Sequence, residues 1–179
     1  MEKIINGLIQ PNQILSQLDL RDNITVADFG CGNGHFSIPL AKAIPKGKIY
    51  ALDVIKETLE AVKSQANLEG IENIITVHCN LEILGSSKLE NDSVDLVLMR
   101  NILFQSQKKE EIIKEAKRVL KSEGQLILLE WIPGASMAPT SGFLITKEES
   151  QKLVEVEGMN FSKDLIVDNQ HHGSVFKKT

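Results

Sequence analysis

The sequence has few cysteines and no excess of positive charge, and both features exclude classes of protein. Only Cys31 and Cys79 are cysteines among the 179 residues, so neither a disulfide framework nor a zinc or other metal module is predicted. The formal net charge of −4 gives no basic footprint, which argues against duplex nucleic acid as a partner. No long apolar run follows Met1, so we expect no signal peptide, no membrane span and a cytoplasmic location.

The length and composition are those of an ordinary globular domain. Hydrophobic residues make up 42% of the chain and charged residues 25%, which is close to the average for soluble proteins. No internal repeat or linker interrupts the pattern. We therefore expect residues 1–179 to form a single domain.

The most informative stretch is a glycine-rich loop in residues 26–34. An apolar strand runs into Asp28, and Gly30, Gly32 and Gly34 follow at alternate positions. Glycine accepts positive φ and lets the backbone approach a ligand closely. Apolar residues at helical spacing come next, so the sequence predicts a strand, a loop and a helix N-terminus, which together are typical of a nucleotide or nucleoside site.

A second strand, predicted over residues 47–53, ends in Asp53. A carboxylate at that place can accept both ribose hydroxyls of a cofactor. The glycine spacing differs from the G-x-G-x-x-G of dinucleotide folds. Tyr50 is also the only tyrosine, so the chain has no Tyr-x-x-x-Lys pair. A nicotinamide-dependent oxidoreductase or epimerase remains an alternative, which only the expected fold and Asp53 support.

Apolar strands alternate with amphipathic helices along most of the chain. The pattern predicts further strands over 74–78, 94–99, 125–131, 161–167 and 171–177. Ser106 is expected to cap the helix after the fourth strand, and Thr146 to open a later helix with a capping box. Nearly continuous apolar strands indicate an α/β fold with a doubly wound, mostly parallel sheet. The last two strands are too close for a crossover helix, so they should pair antiparallel.

The sequence D-x-G-x-G-x-G, with this C-terminal hairpin, resembles the class I S-adenosylmethionine-dependent methyltransferases, in particular the small single-domain members. The resemblance implies a seven-stranded sheet of order 3-2-1-4-5-7-6 with helices on both faces, and S-adenosylmethionine as the cofactor. It implies that the loop residues bind the cofactor, with its methionine end held there: Asp28, Gly30, Cys31, Gly32, Asn33 and Gly34.

The resemblance also assigns residues to the other parts of the cofactor. Asp53 would bind the ribose, and Val54 would pack against the adenine. Asn80 and Leu81 stand where relatives often carry Asp before an apolar residue, and Asn80 keeps an acceptor oxygen for the adenine amino group. Arg100 would face the methionine moiety.

Ligands of doubly wound sheets collect beyond the carboxyl ends of the strands. The substrate-side candidates at these ends are Asn101, Glu130, Trp131 and, at the start of the final strand, His171. Because side chains alternate across a strand, one of His171 and His172 should face solvent, and His171 is expected to be the inward one. Residues 133–145 are the expected mobile lid.

The sequence thus predicts methyl transfer to a small or medium-sized acceptor, and it assigns no catalytic residue. A base is needed only if the acceptor must lose a proton, and His35, Glu130, His171 and His172 all stay open for that role. Leu-Phe-Gln at 103–105 replaces the Leu-His-His of many quinone-methylating relatives, which argues against a quinone. A protein acceptor and a non-catalytic, cofactor-binding regulator remain alternatives.

Overall fold

The computed structural model describes residues 9–179. The strands are β1 Thr25–Phe29, β2 Lys48–Asp53, β3 Ile74–His78, β4 Val94–Arg100, β5 Leu120–Trp131, β6 Met159–Asp164 and β7 His171–Lys178. The helices are α1 Pro11–Leu15, α2 Ser37–Ala43, α3 Lys56–Leu68, α4 Lys109–Val119 and α5 Lys147–Val156, with a 3₁₀ turn at Leu103–Gln105.

The strands form one sheet of order β3-β2-β1-β4-β5-β7-β6. β1 to β5 are parallel to one another, and β7 runs antiparallel to both β5 and β6. The expected fold and strand order are confirmed. The carboxyl ends of the parallel strands and the start of β7 consequently meet at one edge of the sheet.

The central strands are apolar on both faces because helices cover both. Phe29, Met99 and Phe176 belong to a buried cluster with α4 and α5 on one face. Ile49 and Leu98 belong to a second cluster with α1 and α2 on the other face. Burial on two sides explains why these strands read as apolar runs in the sequence.

Three element boundaries differ from the sequence prediction. β5 begins at Leu120, not at residue 125, because the chain passes from α4 directly into extended backbone that pairs with Val94 across a register shift. β6 begins and ends earlier than predicted because its ladder to β7 starts at Met159. Ser106 does not cap α4: its Oγ accepts the N–H of Lys108, the residue before the helix, at 2.8 Å, and no N–H of the first helical turn. The capping box at Thr146 is confirmed.

Candidate functional site

The glycine loop begins where β1 ends and folds over the end of β2. Gly30, Gly32 and Gly34 have φ values of 70°, 51° and 83°, a region that other residues enter only with strain. The backbone N–H groups of Gly30 and Cys31 both donate to the carbonyl of Leu52 at 2.9 Å. The alternate glycines therefore allow a tight loop anchored on the neighbouring strand.

Asp53 at the end of β2 fixes this loop from the other side. Its Oδ2 accepts the N–H of Gly32 at 2.9 Å, and its Oδ1 accepts the N–H of Ile55 at 2.9 Å. The carboxylate also lines the cavity described below. Asp53 thus orients the backbone of the loop as well as offering oxygens to a ligand.

Asp28 lies beneath the glycine loop and is 2% exposed. The hydroxyl of Ser37, in the first turn of α2, donates to its Oδ2 at 2.5 Å. Burial raises the pKa of Asp28 to about 6, and the hydrogen bond from Ser37 and the charge of Arg100 oppose that rise. Asp28 therefore connects the end of β1 to the first turn of α2 and does not line the cavity.

A cavity of about 550 Å³ lies at the carboxyl edge of the sheet, beside the glycine loop. Many of the predicted site residues line it: Gly30, Gly32, Asp53, Val54, Asn80, Leu81, Arg100, Asn101 and Trp131. Asn33 is exposed outside this lining, and Gly34 packs towards Val62. The buried Cys31 packs in a small cluster with residues of β2 and α3.

Several cavity residues escaped the sequence prediction. Ile55, Thr58, Cys79 and Glu82 follow the ends of β2 and β3, and Ile102, Phe104, Gln105, Ser106, Ile112 and Pro139 come from later segments. The two sets meet where Oγ of Ser106 donates to Oε1 of Glu82 at 2.6 Å. Most of them follow the ends of β2, β3 and β4, and this position in the sequence could have identified them as cavity residues. Near them, Oδ1 of Asn80 accepts the N–H of Glu82 at 3.0 Å, which closes a short turn.

Glu130 lies behind the cavity wall, which corrects its expected place on the substrate side. The residue is fully buried, and its Oε1 accepts the N–H groups of Ile102 at 2.9 Å and Leu103 at 2.7 Å. Its Oε2 has no hydrogen-bond partner among residues 9–179. Burial raises the pKa of Glu130 to about 7. Glu130 therefore holds the segment after β4 that lines the cavity.

The expectation that His171 or His172 faces solvent is wrong, because β7 is covered on both faces. His171 is 3% exposed and His172 is 9% exposed. The ring of His171 stacks on Trp131 with centroids 3.9 Å apart. His172 points the other way, with Nε2 3.2 Å from the carbonyl oxygen of Ile145. His171 is the member on the cavity side, behind Trp131 and Asn101.

Residues 133–145 cover one edge of this region and are held by several hydrogen bonds, which include those of Ser136 with Gln170 and of Ile145 with His172. The N–H of Met137 donates to Oε1 of Gln170 at 2.8 Å. The N–H of Phe143 donates to the carbonyl of Phe104 at 2.6 Å. Pro139, between these points, lines the cavity.

Arg100 is the cation of the cavity lining. Its Nε is buried without a hydrogen-bond partner among residues 9–179. Burial lowers the pKa of Arg100, while the charges of Asp28 and Asp168 oppose that effect. A partly desolvated cation without a close partner is stabilised by an anionic ligand group.

Within residues 9–179, no helix has the length and apolar character needed to cross a bilayer. The same part of the chain contains no group of three or more His, Cys, Asp or Glu side chains placed to hold a metal ion.

Comparison with known proteins gives consistent results for the whole domain. A family model described as a methyltransferase domain matches residues 20–170. A probable cobalt-precorrin-6B C(15)-methyltransferase (decarboxylating) of Methanosarcina mazei is 43% identical over 82 residues, which are 45% of this chain and 44% of that protein. The ribosomal RNA small subunit methyltransferase G of Porphyromonas gingivalis is 26% identical over 112 residues, 63% of this chain and 46% of that protein.

Among solved structures, a SAM-dependent methyltransferase from Aquifex aeolicus superposes with a TM-score of 0.86 at 23% identity, covering 96% of this chain and 91% of that one. This likeness shows the fold. The chain spans less than half the length of the two curated relatives just described. Because the family model covers most of the chain, the protein belongs to the methyltransferase domain family, which confirms the resemblance to S-adenosylmethionine-dependent methyltransferases.

Proposed function

We propose that the protein transfers the methyl group of S-adenosylmethionine to a small or medium-sized acceptor. The observation that carries this proposal is the lining of the cavity. Its residues follow the strand order, from Asn80 after β3 and Asp53 on β2 past the glycine loop to Arg100 on β4 and Trp131 on β5. One end thus offers polar groups suited to a nucleoside. The other end offers space for a second reactant beside the cofactor's sulfur.

The cofactor fits this cavity residue by residue. Asp53 would accept hydrogen bonds from the ribose hydroxyls, and Asn80 and Leu81 would contact the adenine. Val54 is 59% exposed although apolar, and it would cover one face of the adenine ring. The glycine loop would lie along the methionine moiety. Arg100 would bind the methionine carboxylate, since it lacks a close ion-pair partner among residues 9–179.

The acceptor end is built to orient a substrate and exclude water. Ile102, Phe104, Trp131 and Pro139 line it with apolar and aromatic surface. S-Adenosylmethionine, when bound, would supply an electrophilic methyl group, and these residues would hold the acceptor in line with it. Holding the reactants in line supplies much of the rate enhancement in such a displacement. We propose that residues 133–145 act as the cover of this end.

A small acceptor agrees with a cavity of about 550 Å³ and with the net charge of −4. Curated relatives that match part of this chain are named for ribosomal RNA, cobalt-precorrin and arsenite, so their names do not select a substrate. The glycine spacing and the family disfavour the nicotinamide alternative. Methyl transfer in the screen described below would decide against a non-catalytic regulator. The cytoplasmic location and the single-domain extent over residues 1–179 stay predictions.

S-Adenosylhomocysteine should raise the melting temperature of the protein. A ligand at one hundred times its Kd adds about 2.7 kcal/mol to the free energy of unfolding by linkage. The measurement is a thermal denaturation series with rising S-adenosylhomocysteine, with NAD as the matched control. No shift at ligand concentrations of about 1 mM, on protein shown to be folded, would contradict the proposal.

A screen for turnover then tests the methyl transfer itself. Methyl-labelled S-adenosylmethionine is incubated with pooled small metabolites, and label in any acceptor is detected. We expect label in at least one pool. Cofactor binding without turnover in any pool would favour the regulator.

Gly32→Ala should weaken cofactor binding while costing only modest stability. A Cβ at Gly32 would meet no protein atom within 4 Å, but it would enter the cavity, and φ is +51°. Gly70 is the matched control, since its φ is +66° and its Cβ would also meet nothing within 4 Å. Each variant should lose about 1–2 kcal/mol of unfolding free energy from backbone strain. Calorimetry should show reduced S-adenosylhomocysteine affinity for G32A alone, and equal affinities would argue against the loop as the ligand site.

A further inference from the structure

Behind the acceptor end of the cavity lies a buried pair that the sequence analysis did not identify. Nδ1 of His171 is 2.8 Å and 3.0 Å from the two carboxylate oxygens of Asp168. The side chains are 1% and 4% exposed. Asp168 Oδ1 also accepts the backbone N–H groups of Gln170 and His171. The carboxylate therefore fixes both the position and the orientation of the imidazole.

These contacts determine which ring nitrogen carries the proton. A carboxylate only accepts, so Nδ1 of His171 is the protonated nitrogen, and Nε2 of the neutral ring offers a lone pair. Nε2 lies 3.2 Å from Nδ2 of Asn101. The amide of Asn101 must then donate to the ring. That bond fixes the orientation of the amide and leaves Oδ1 on its other side.

Two features of Asn101 indicate a role in binding a ligand. Its φ is +53°, a strained region that asparagine tolerates better than most residues. The residue lines the cavity and is 8% exposed, yet Oδ1 has no hydrogen-bond partner among residues 9–179. An unpaired buried amide oxygen is costly, and a ligand donor would remove that cost.

We propose that Asp168 and His171 are positioning residues that orient the Asn101 amide, whose Oδ1 accepts a hydrogen bond from an N–H or O–H group of a bound ligand. The inference rests on the proposed function. Two sources supply that chemistry, the α-ammonium group of the cofactor's methionine moiety and the nucleophile of an amine or hydroxyl acceptor. A thiolate nucleophile carries no N–H or O–H group and would not use this oxygen.

The proposed hydrogen bonds predict that ligand affinity depends on pH. When His171 gains a proton, Nε2–H becomes a donor, and the amide must turn its Oδ1 towards the ring and its Nδ2 towards the ligand. Burial lowers the pKa of His171, and the charge of Arg100 adds to that effect. The hydrogen bond and the charge of Asp168 oppose it. Ligand affinity should therefore fall as the pH drops through the titration of His171.

The first arm of the test measures binding without needing a known acceptor. Calorimetry compares S-adenosylhomocysteine with 5′-methylthioadenosine, which lacks the amino-acid part, on wild type and Asn101→Gly. Glycine adopts φ +53° without strain, so this variant removes the amide and keeps the fold. Loss of about tenfold or more for S-adenosylhomocysteine alone would identify the cofactor's ammonium as the donor.

The second arm applies if Asn101→Gly leaves both affinities within about twofold of wild type. Methyl transfer is then measured with separate pools of amines, of alcohols and phenols, and of thiols. Transfer to an amine or hydroxyl acceptor that falls about tenfold or more in Asn101→Gly supports the acceptor as the donor. Transfer confined to thiols, or no transfer with cofactor binding unchanged, overturns the proposal.

Variants of His171 separate positioning from mere packing. His171→Gln keeps an oxygen that can accept from the Asn101 amide, so it should retain activity or affinity and lose the pH dependence. His171→Leu removes the acceptor and should behave like Asn101→Gly. Asp22→Ala, which lies outside the cavity lining, is the control and should match wild type. Trp131 is the only tryptophan, so its fluorescence reports the protonation of the stacked His171 directly.

Two results would overturn the role of His171 and Asp168. One is equal loss in His171→Gln and His171→Leu, which would indicate packing alone. The other is an unchanged pH profile in His171→Gln or Asp168→Asn. If wild-type protein binds no S-adenosylhomocysteine, the proposed function itself fails, and that outcome is distinct from both.

Discussion

Replacing Asp53 with alanine should weaken S-adenosylhomocysteine binding by about tenfold or more. The carboxylate would accept ribose hydroxyls, and hydrogen bonds to a charged group contribute about 1.5–3 kcal/mol each. It also accepts the N–H of Gly32 and the N–H of Ile55, so its loss releases the glycine loop as well. Calorimetric titration of wild type and variant measures the effect, with chemical denaturation showing that the fold is retained.

Asp53→Asn provides the graded control. The amide keeps one acceptor oxygen and loses the charge, so the loss of affinity should lie between those of wild type and Asp53→Ala. Asp22→Ala, which removes an exposed ion pair with Lys46 far from the cavity lining, should leave affinity unchanged. Unchanged affinity in Asp53→Ala would mean that the ribose is held elsewhere.

Glu130→Gln should make the protein less sensitive to rising pH. Burial raises the pKa of Glu130 to about 7 from an ordinary value of 4.5, so the folded state holds its proton more tightly than the unfolded state. Stability from this group is fully present below pH 4.5 and is lost as the pH rises to about 7. Using the conversion of 1.36 kcal/mol per pKa unit, the loss is on the order of 3 kcal/mol.

The measurement is the free energy of unfolding by chemical denaturation between pH 4.5 and pH 8 for both proteins. The difference between Glu130→Gln and wild type should shift by about 3 kcal/mol in favour of the variant over that interval. Asp28, whose pKa is raised to about 6, adds a slope of the same sign that both proteins share. If the unfolding free energies of the two proteins changed in parallel with pH, Glu130 would ionise in the folded protein as readily as in the unfolded protein, which would contradict the prediction.

The sheet could be predicted because its signals are local. Strands buried on both faces read as apolar runs, and the glycines at 30, 32 and 34 mark a loop that needs positive φ. Asp53 could be assigned because it ends a strand beside that loop. Strand order followed from the family resemblance and from the short connection before β7.

The parts that could not be predicted depend on contacts between distant segments. Strict alternation placed one of His171 and His172 in solvent, but tertiary packing covers both faces of β7. Glu130 ends a strand, like Asp53, yet it faces the backbone of Ile102 and Leu103 instead of the cavity. No local pattern links Asp168 to Asn101, because His171 joins them only in the folded chain.

Calorimetric titration of wild-type protein with S-adenosylhomocysteine and, separately, with NAD tests the central claim most directly. The account predicts saturable binding of S-adenosylhomocysteine at one site per chain and no measurable heat with NAD. Its cavity has the glycine loop and Asp53 of a methyltransferase domain and lacks the glycine spacing of a dinucleotide fold. Binding of NAD with equal or higher affinity, or no binding of S-adenosylhomocysteine by folded protein, would contradict the account.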